Sequence, residues 1–183
     1  MVKRLSDDQS LLFREAREKE VTQFLSKGAI RLVRLAGVPE DRIMKTRFVQ
    51  TWKSTGAAKA RLVLQGFTDP DLMELRSDAP TISKRGRMIF FVATSHFTLV
   101  AEKADVVGAF LQSTNTEEVR NVFGMPPDEL LDAMGCSHLK GKVLVQILKP
   151  VCGLTVAPRR WWQQVCKDLL RLGLIQSKVE PCF

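Results

Sequence analysis

Residues 46–67, "TRFVQTWKSTGAAKARLVLQGF", constrain the fold more than any other stretch. Apolar and polar residues alternate through "TRFVQTWK" (46–53) and again through "AKARLVLQGF" (58–67). A period of two belongs to a half-buried strand. "STGA" between them is a short glycine-containing turn, so the two strands form a hairpin. Its faces carry Arg47, Lys53, Lys59 and Arg61, which makes the hairpin strongly basic.

The flanking sequence supplies elements for the hairpin to pack with. "SDDQSLLFREAREKEVTQFLSKG" predicts an amphipathic packing helix with Ser6 and Gln9 as a capping box and Gly28 at its end. "AIRLVRL" (29–35) predicts a half-exposed strand, and "KVLVQILK" (142–149) another. "SKRGRMIFFVATSHF" (83–97) predicts a buried helix capped by Ser83, and "TLVAEKADV" (98–106) a strand. A short helix follows Pro126 and Pro127. A longer one spans 157–173, with Pro158 near its start and Gly173 at its end. The segments 67–83 and 112–119 are loops, and a further element begins at 174. The order predicts an α+β fold, with helices packed on an antiparallel sheet.

At 183 residues the chain holds one domain with a real core, or part of a larger one. Its formal charge of +8 favours an anionic partner, and nucleic acid is the usual one. The four cysteines form no C-x-x-C pair, and Cys136 near His138 lacks the second pair of a zinc site. They are expected to be reduced, in an intracellular, cytoplasmic protein. No signal peptide or membrane-spanning run is visible, and no membrane partner is expected.

One carboxylate stands out in the apolar run "FTLVAEKADVVGAFLQ". Asp105 lies where the predicted strand stops and the chain turns. A carboxylate there suits Mg²⁺, which takes one or two protein carboxylates and keeps waters and phosphates as its other ligands. It would equally cap a turn or pair with a lysine.

A wider pattern bears on that choice. In order, the landmarks are "AKARLVLQGF", "DAPTISKRGRMIFFVA", "KADVVGAFLQ", "VFGMPP", "LKPVCGLTVAPRRWW" and "GLIQSKVEPCF". Together they resemble the reverse transcriptase of copia-type LTR retrotransposons, which reads K-A-R-L-V-x-x-G-F, S-P-V, D-V-K-T-A-F-L, M-x-Q-P-P, L-Y-G-L-K-Q-A-P-R-x-W and D-P-C. The resemblance covers nearly the whole chain. It implies a partial right-handed polymerase fold over 1–183, with about 1–100 mostly fingers and about 101–183 part of the palm.

The implied partners are an RNA template, a DNA primer and a dNTP; the implied cofactor is a pair of Mg²⁺ ions. Asp105 matches the first catalytic aspartate, with the Val106 carbonyl as a further metal ligand. Phe110 matches the gate that leaves no room for a 2′-hydroxyl; by itself it reads as a core phenylalanine. Lys59 and Arg61 resemble the residues that hold the triphosphate, and a solvated basic face is the alternative for each. Gly153, Ala157, Pro158, Arg159 and Trp161 match the turn and helix against the template and incoming base pair. Gly153 would allow close backbone approach, and of the adjacent Trp161 and Trp162 one is expected to pack inward and the other outward.

The chain also departs from the pattern. Val107 and Gly108 replace the family's Lys-Thr pair, Cys152 its tyrosine, Val156 its glutamine, and Glu180 the aspartate before Pro181 and Cys182. The family's Tyr/Phe-x-Asp-Asp hairpin lies beyond D-P-C, past the last residue in hand, Phe183. These 183 residues therefore offer one of three expected carboxylates and are expected not to polymerise alone, with metal binding weak or absent. The alternative is a basic nucleic-acid-binding remnant without catalysis.

Overall fold

The computed structural model describes residues 6–113, 121–180 and 182. Helix α1 (Asp7–Ser26) begins as its residues dictate. The Gln9 amide donates to Ser6 Oγ while the Ser6 amide donates to Gln9 Oε1, completing the capping box. Gly28 follows the helix at φ +59°, a left-handed conformation that costs glycine no steric penalty. The helix buries Phe13, Val21 and Phe24.

The predicted hairpin is present as β2 (Ile43–Trp52) and β3 (Ala58–Leu64), paired antiparallel with Val49 opposite Arg61. β1 (Ile30–Arg34) and β5 (Val143–Ile147) match the other two predicted strands that formed. The five-stranded sheet runs β1-β5-β4-β2-β3, where β4 is Val122–Met125. All five residues of β5 are buried, as befits a strand near the middle of the sheet. Its one polar side chain, Gln146, accepts from Arg31 Nε at 2.7 Å and donates to Asn121 Oδ1 at 2.9 Å. Those two bonds offset the cost of burying the amide. The core runs from Val21 and Phe24 across Met44, Leu62 and Val145 to Leu130.

The sheet corrects the expectation of purely antiparallel pairing. β2 and β4 are parallel, with Ile43 opposite Phe123. Nearly sixty residues separate β3 from β4, ample for the crossover a parallel pair needs. Because β4 sits between β5 and β2, strands from either side of residue 100 share one sheet.

Two further expectations fail. Residues 98–106 are not a strand. At the β3 edge of the sheet the Leu62 amide already donates to Glu20 Oε1 and the Leu64 amide to the Cys152 carbonyl, so the segment does not pair there. Thr98 at φ +49° also breaks the extended path at its start. The helix 83–97 forms as α2 (Lys84–His96) with the predicted Ser83 cap, but it is not buried. Met88, Ile89, Phe90, Phe91 and Val92 are exposed, and only Gly86 is buried. Five consecutive apolar residues put apolar surface all round the helix, and its N-terminus is held by Ser83 donating from Oγ to Glu180.

The remaining elements are α3 (Ala109–Gln112), α4 (Asp128–Ala133) and α5 (Ala157–Arg171). α4 follows Pro126 and Pro127 as predicted, and α5 has Pro158 in its first turn and Gly173 beyond its end at φ +85°. Of the predicted loop at 112–119, residues 114–119 lie outside the described residues; so do Pro181 and Phe183, and the first five residues read for a signal peptide. All four cysteines are free.

Candidate functional site

A cleft of about 630 Å³ lies between α1, the β2–β3 hairpin, the segment 105–111 and the turn at Val151 and Cys152. Lys59, Arg61, Asp105, Val106 and Phe110 all line it. Lys59 and Arg61 are two apart on β3, so both leave the same face, while Ala60, Leu62 and Leu64 turn into the core.

Asp105 is exposed and ends an irregular segment rather than a strand. The turn at Val107 and Gly108 then leads into α3. Gly108 has φ +62°, and a Cβ there would fall 2.2 Å from Gln23 Nε2 of α1. Helix α1 therefore presses directly on the turn, which sets Asp105 and Val106 at one end of it and Phe110 at the other. The threonine of the family pattern would be strained at this φ, and the Gln23 side chain would have to shift to admit its Cβ.

Glu20 of α1 is the second carboxylate of the cleft. It accepts from the Leu62 amide at 3.2 Å. Burial pushes its pKa above the usual carboxylate range, against the opposing pull of the Leu62 amide, Arg61 and Lys59. Burial also pushes the Cys152 thiol up, with Arg61 pulling the other way. The sign for stability follows from the raised pKa of Glu20. Its contribution to folding is fully present below the ordinary carboxylate range and is lost as pH rises through the raised value. Glu20→Gln keeps the acceptor for Leu62 without the charge. Its melting temperature relative to the native chain should therefore be higher at about pH 7 than at about pH 4. Thermal denaturation at the two pH values checks this, and the opposite trend would refute it.

The other predicted residues do not line this cleft. Gly153, at φ +94°, follows Cys152, and a Cβ on it would stand 1.9 Å from the Leu64 carbonyl oxygen. The close approach it permits in this structure is to its own chain's β3. Pro158 and Trp161 line a second, apolar cleft of about 600 Å³, which Phe110 also lines. Ala157 is buried. Arg159 is committed to Asp78, donating to its carboxylate at 2.7 Å and its carbonyl at 3.0 Å, and so ties the loop before α2 to α5. Trp161 and Trp162 are both half-buried, not one in and one out; Trp162 Nε1 is buried without a partner among the described residues.

Lys19, Glu20, Gln23 and Lys53 also line the cleft, and the sequence did not mark them as site residues. Ala16, Lys19, Glu20 and Gln23 do form one stripe on a helix, but nothing local to α1 says which way a polar stripe faces. Four cations thus meet two carboxylates, a balance suited to an anion. Among the described residues no group of three or more histidine, cysteine, aspartate or glutamate side chains comes together. The cleft as described does not fit a pair of magnesium ions, which needs more than one free carboxylate beside cations. No helix among the described residues is long and apolar enough to cross a membrane.

Comparison with known proteins agrees in part with the sequence pattern. The chain is 29% identical over 146 residues to the Retrovirus-related Pol polyprotein from transposon RE2 of Arabidopsis thaliana. The match covers 76% of this chain and 9% of that polyprotein. No family model and no solved structure matches the chain. The chain is thus similar to a small part of a retrotransposon Pol polyprotein.

Proposed function

We propose that this chain is part of a copia-type reverse transcriptase domain, and that its cleft holds the triphosphate of an incoming dNTP. One observation carries the proposal. Lys59 and Arg61 lie more than forty positions before Asp105, Val106 and Phe110, yet all five line a single basic cleft. In this reading Arg61 presents a planar fork able to donate two hydrogen bonds to phosphate, and Lys59 adds a point charge. Phe110 lies under the sugar and selects against a 2′-hydroxyl. Asp105 and the Val106 carbonyl stand at the reacting end, where the complete enzyme joins a primer 3′-hydroxyl to the α-phosphate. Template and primer run beside Gly153, Pro158, Arg159 and Trp161. One free carboxylate does not make the two-ion site, so these residues bind nucleotide and do not polymerise alone.

Calorimetric titration of dTTP tests the proposal. Lys59→Ala and Arg61→Ala should each weaken binding about tenfold, the worth of one charge-assisted contact. Equal affinity in the native chain and Arg61→Ala would remove the triphosphate site.

A second reading rests on a different observation. Arg47, Lys53 and Arg61 are exposed, and Lys59 half-buried, on one hairpin of a chain with net charge +8. That surface suits the phosphates of a nucleic-acid strand without any chemistry.

A further inference from the structure

We infer that Glu20 is a built-in counter-anion of the cleft, a specificity-determining residue that limits how tightly Lys59 and Arg61 hold a polyphosphate. The inference rests on the cleft being a polyphosphate site, and it concerns a residue that plays no part in that assignment.

Three observations lead to it. Glu20 is fixed in place. Its Oε1 accepts from the Leu62 amide at 3.2 Å, and its helix is anchored on either side by Phe13, Val21 and Phe24 in the core. The strand that holds Glu20 is the strand that presents both cations, because Leu62 directly follows Arg61. Glu20 also shares the cleft with them, half-buried, where solvent screens charges less than at an open surface. The other charged or titratable groups facing the same space are Lys19 beside it on α1, Lys53 after β2, Asp105, and the Cys152 thiol.

A polyphosphate entering this space gains attraction from Lys59 and Arg61 and meets repulsion from Glu20. The carboxylate cannot swing clear without giving up the Leu62 amide, which would leave a donor unpaired at the edge of β3. It therefore stays, lowering the affinity of the cleft for anions in general. A ligand that brings its own compensating charge or further contacts is favoured over a bare polyanion, and release is faster than the two cations alone would allow.

Glu20→Gln separates charge from structure, since the amide oxygen still accepts from Leu62. The probe is inorganic triphosphate, titrated into the native chain, Glu20→Gln, and Glu20→Gln combined with Arg61→Ala. The variant should bind triphosphate about three- to tenfold more tightly than the native chain, the size expected for removing one partly screened charge. Its melting temperature should not fall. The gain should vanish when Arg61→Ala is added. Binding seen only with Glu20→Gln would support the inference equally, because the native carboxylate would then be masking the cations. Equal or weaker binding by Glu20→Gln, or no binding by either protein, would overturn it. The cleft assignment itself fails by a separate result: triphosphate binding to the native chain that is indifferent to Lys59→Ala and Arg61→Ala.

Discussion

Gly153→Ala is expected to be severely destabilised. The residue sits at φ +94°, outside the range an L side chain adopts readily. A Cβ there would lie 1.9 Å from the Leu64 carbonyl oxygen and 2.8 Å from Val63 Cγ1. The main obstacle is backbone, so it cannot rotate away as a flexible side chain would. Relief requires the turn to lift off β3, breaking the 3.0 Å bond from the Leu64 amide to the Cys152 carbonyl. It would also separate Gly66 from the Gly153 carbonyl, which a Cβ on Gly66 would meet at 2.1 Å. Strain, a lost buried bond and disrupted packing together place the cost at about 4 kcal/mol or more. That is a large share of the stability of a typical domain. Gly56→Ala is the control, with φ +79° but nothing within 4 Å of its Cβ; it should cost about 1–2 kcal/mol from backbone strain alone. Urea denaturation of both variants decides the matter. A Gly153→Ala protein as stable as Gly56→Ala would show that the turn does not bear on β3 this closely.

The contrast shows which features were legible in the sequence. Ser6 with Gln9, Ser83 before α2, the "STGA" turn, and Pro158 with Gly173 each answer to residues within a turn or two. Their outcome is set by backbone chemistry close at hand, so reading the chain in order finds them. The segment 98–106 has strand-like residues, yet whether it pairs with β3 depends on Glu20 and Cys152 having taken that edge. Those contacts join residues far apart in the chain, and no window contains them. β4 is too short and too broken by Gly124 to signal itself, and it forms between two partners, β2 at Ile43–Lys45 and β5 at Val145–Ile147. The exposure of α2 is of the same kind, since a run such as "MIFFV" states that the helix is apolar and not what it packs against.

The site divides along the same line. Strand alternation shows Lys59 and Arg61 sharing a face of a basic hairpin, and the resemblance is what singles them out from Arg47 and Lys53. Asp105 stands out locally as a lone carboxylate in an apolar run, Val106 and Phe110 come from the resemblance, and the cleft gives all three a shared location. Glu20 left no mark, because a glutamate in "REAREKE" looks like any solvated helix face until Leu62 is found beside it. Gly108 is an intermediate case. It first reads as a departure from the family pattern, and its left-handed φ of +62° accounts for the glycine.

The double variant Lys59→Ala/Arg61→Ala is expected to separate the two functional readings, because they assign these cations to different ligands. If the hairpin binds a nucleic-acid strand, each cation that neutralises a phosphate releases a counterion. Removing two such contacts should flatten the slope of log K against log salt by about 1.4 for a single-stranded oligonucleotide. Affinity at about 0.1 M salt should fall on the order of a hundredfold if each contact is worth the usual charge-assisted bond. Fluorescence anisotropy of a labelled oligonucleotide across a salt series measures both quantities. Arg47 and Lys53 are untouched in this variant, so weak, salt-sensitive binding should persist through them. If the cations instead serve the cleft, the same variant should lose dTTP while its oligonucleotide slope stays within experimental error of the native one. That pattern would put the strand-binding surface elsewhere on the molecule. Loss of both ligands together would mean that the strand and the nucleotide meet at Lys59 and Arg61, as they must where a template-directed site takes its substrate.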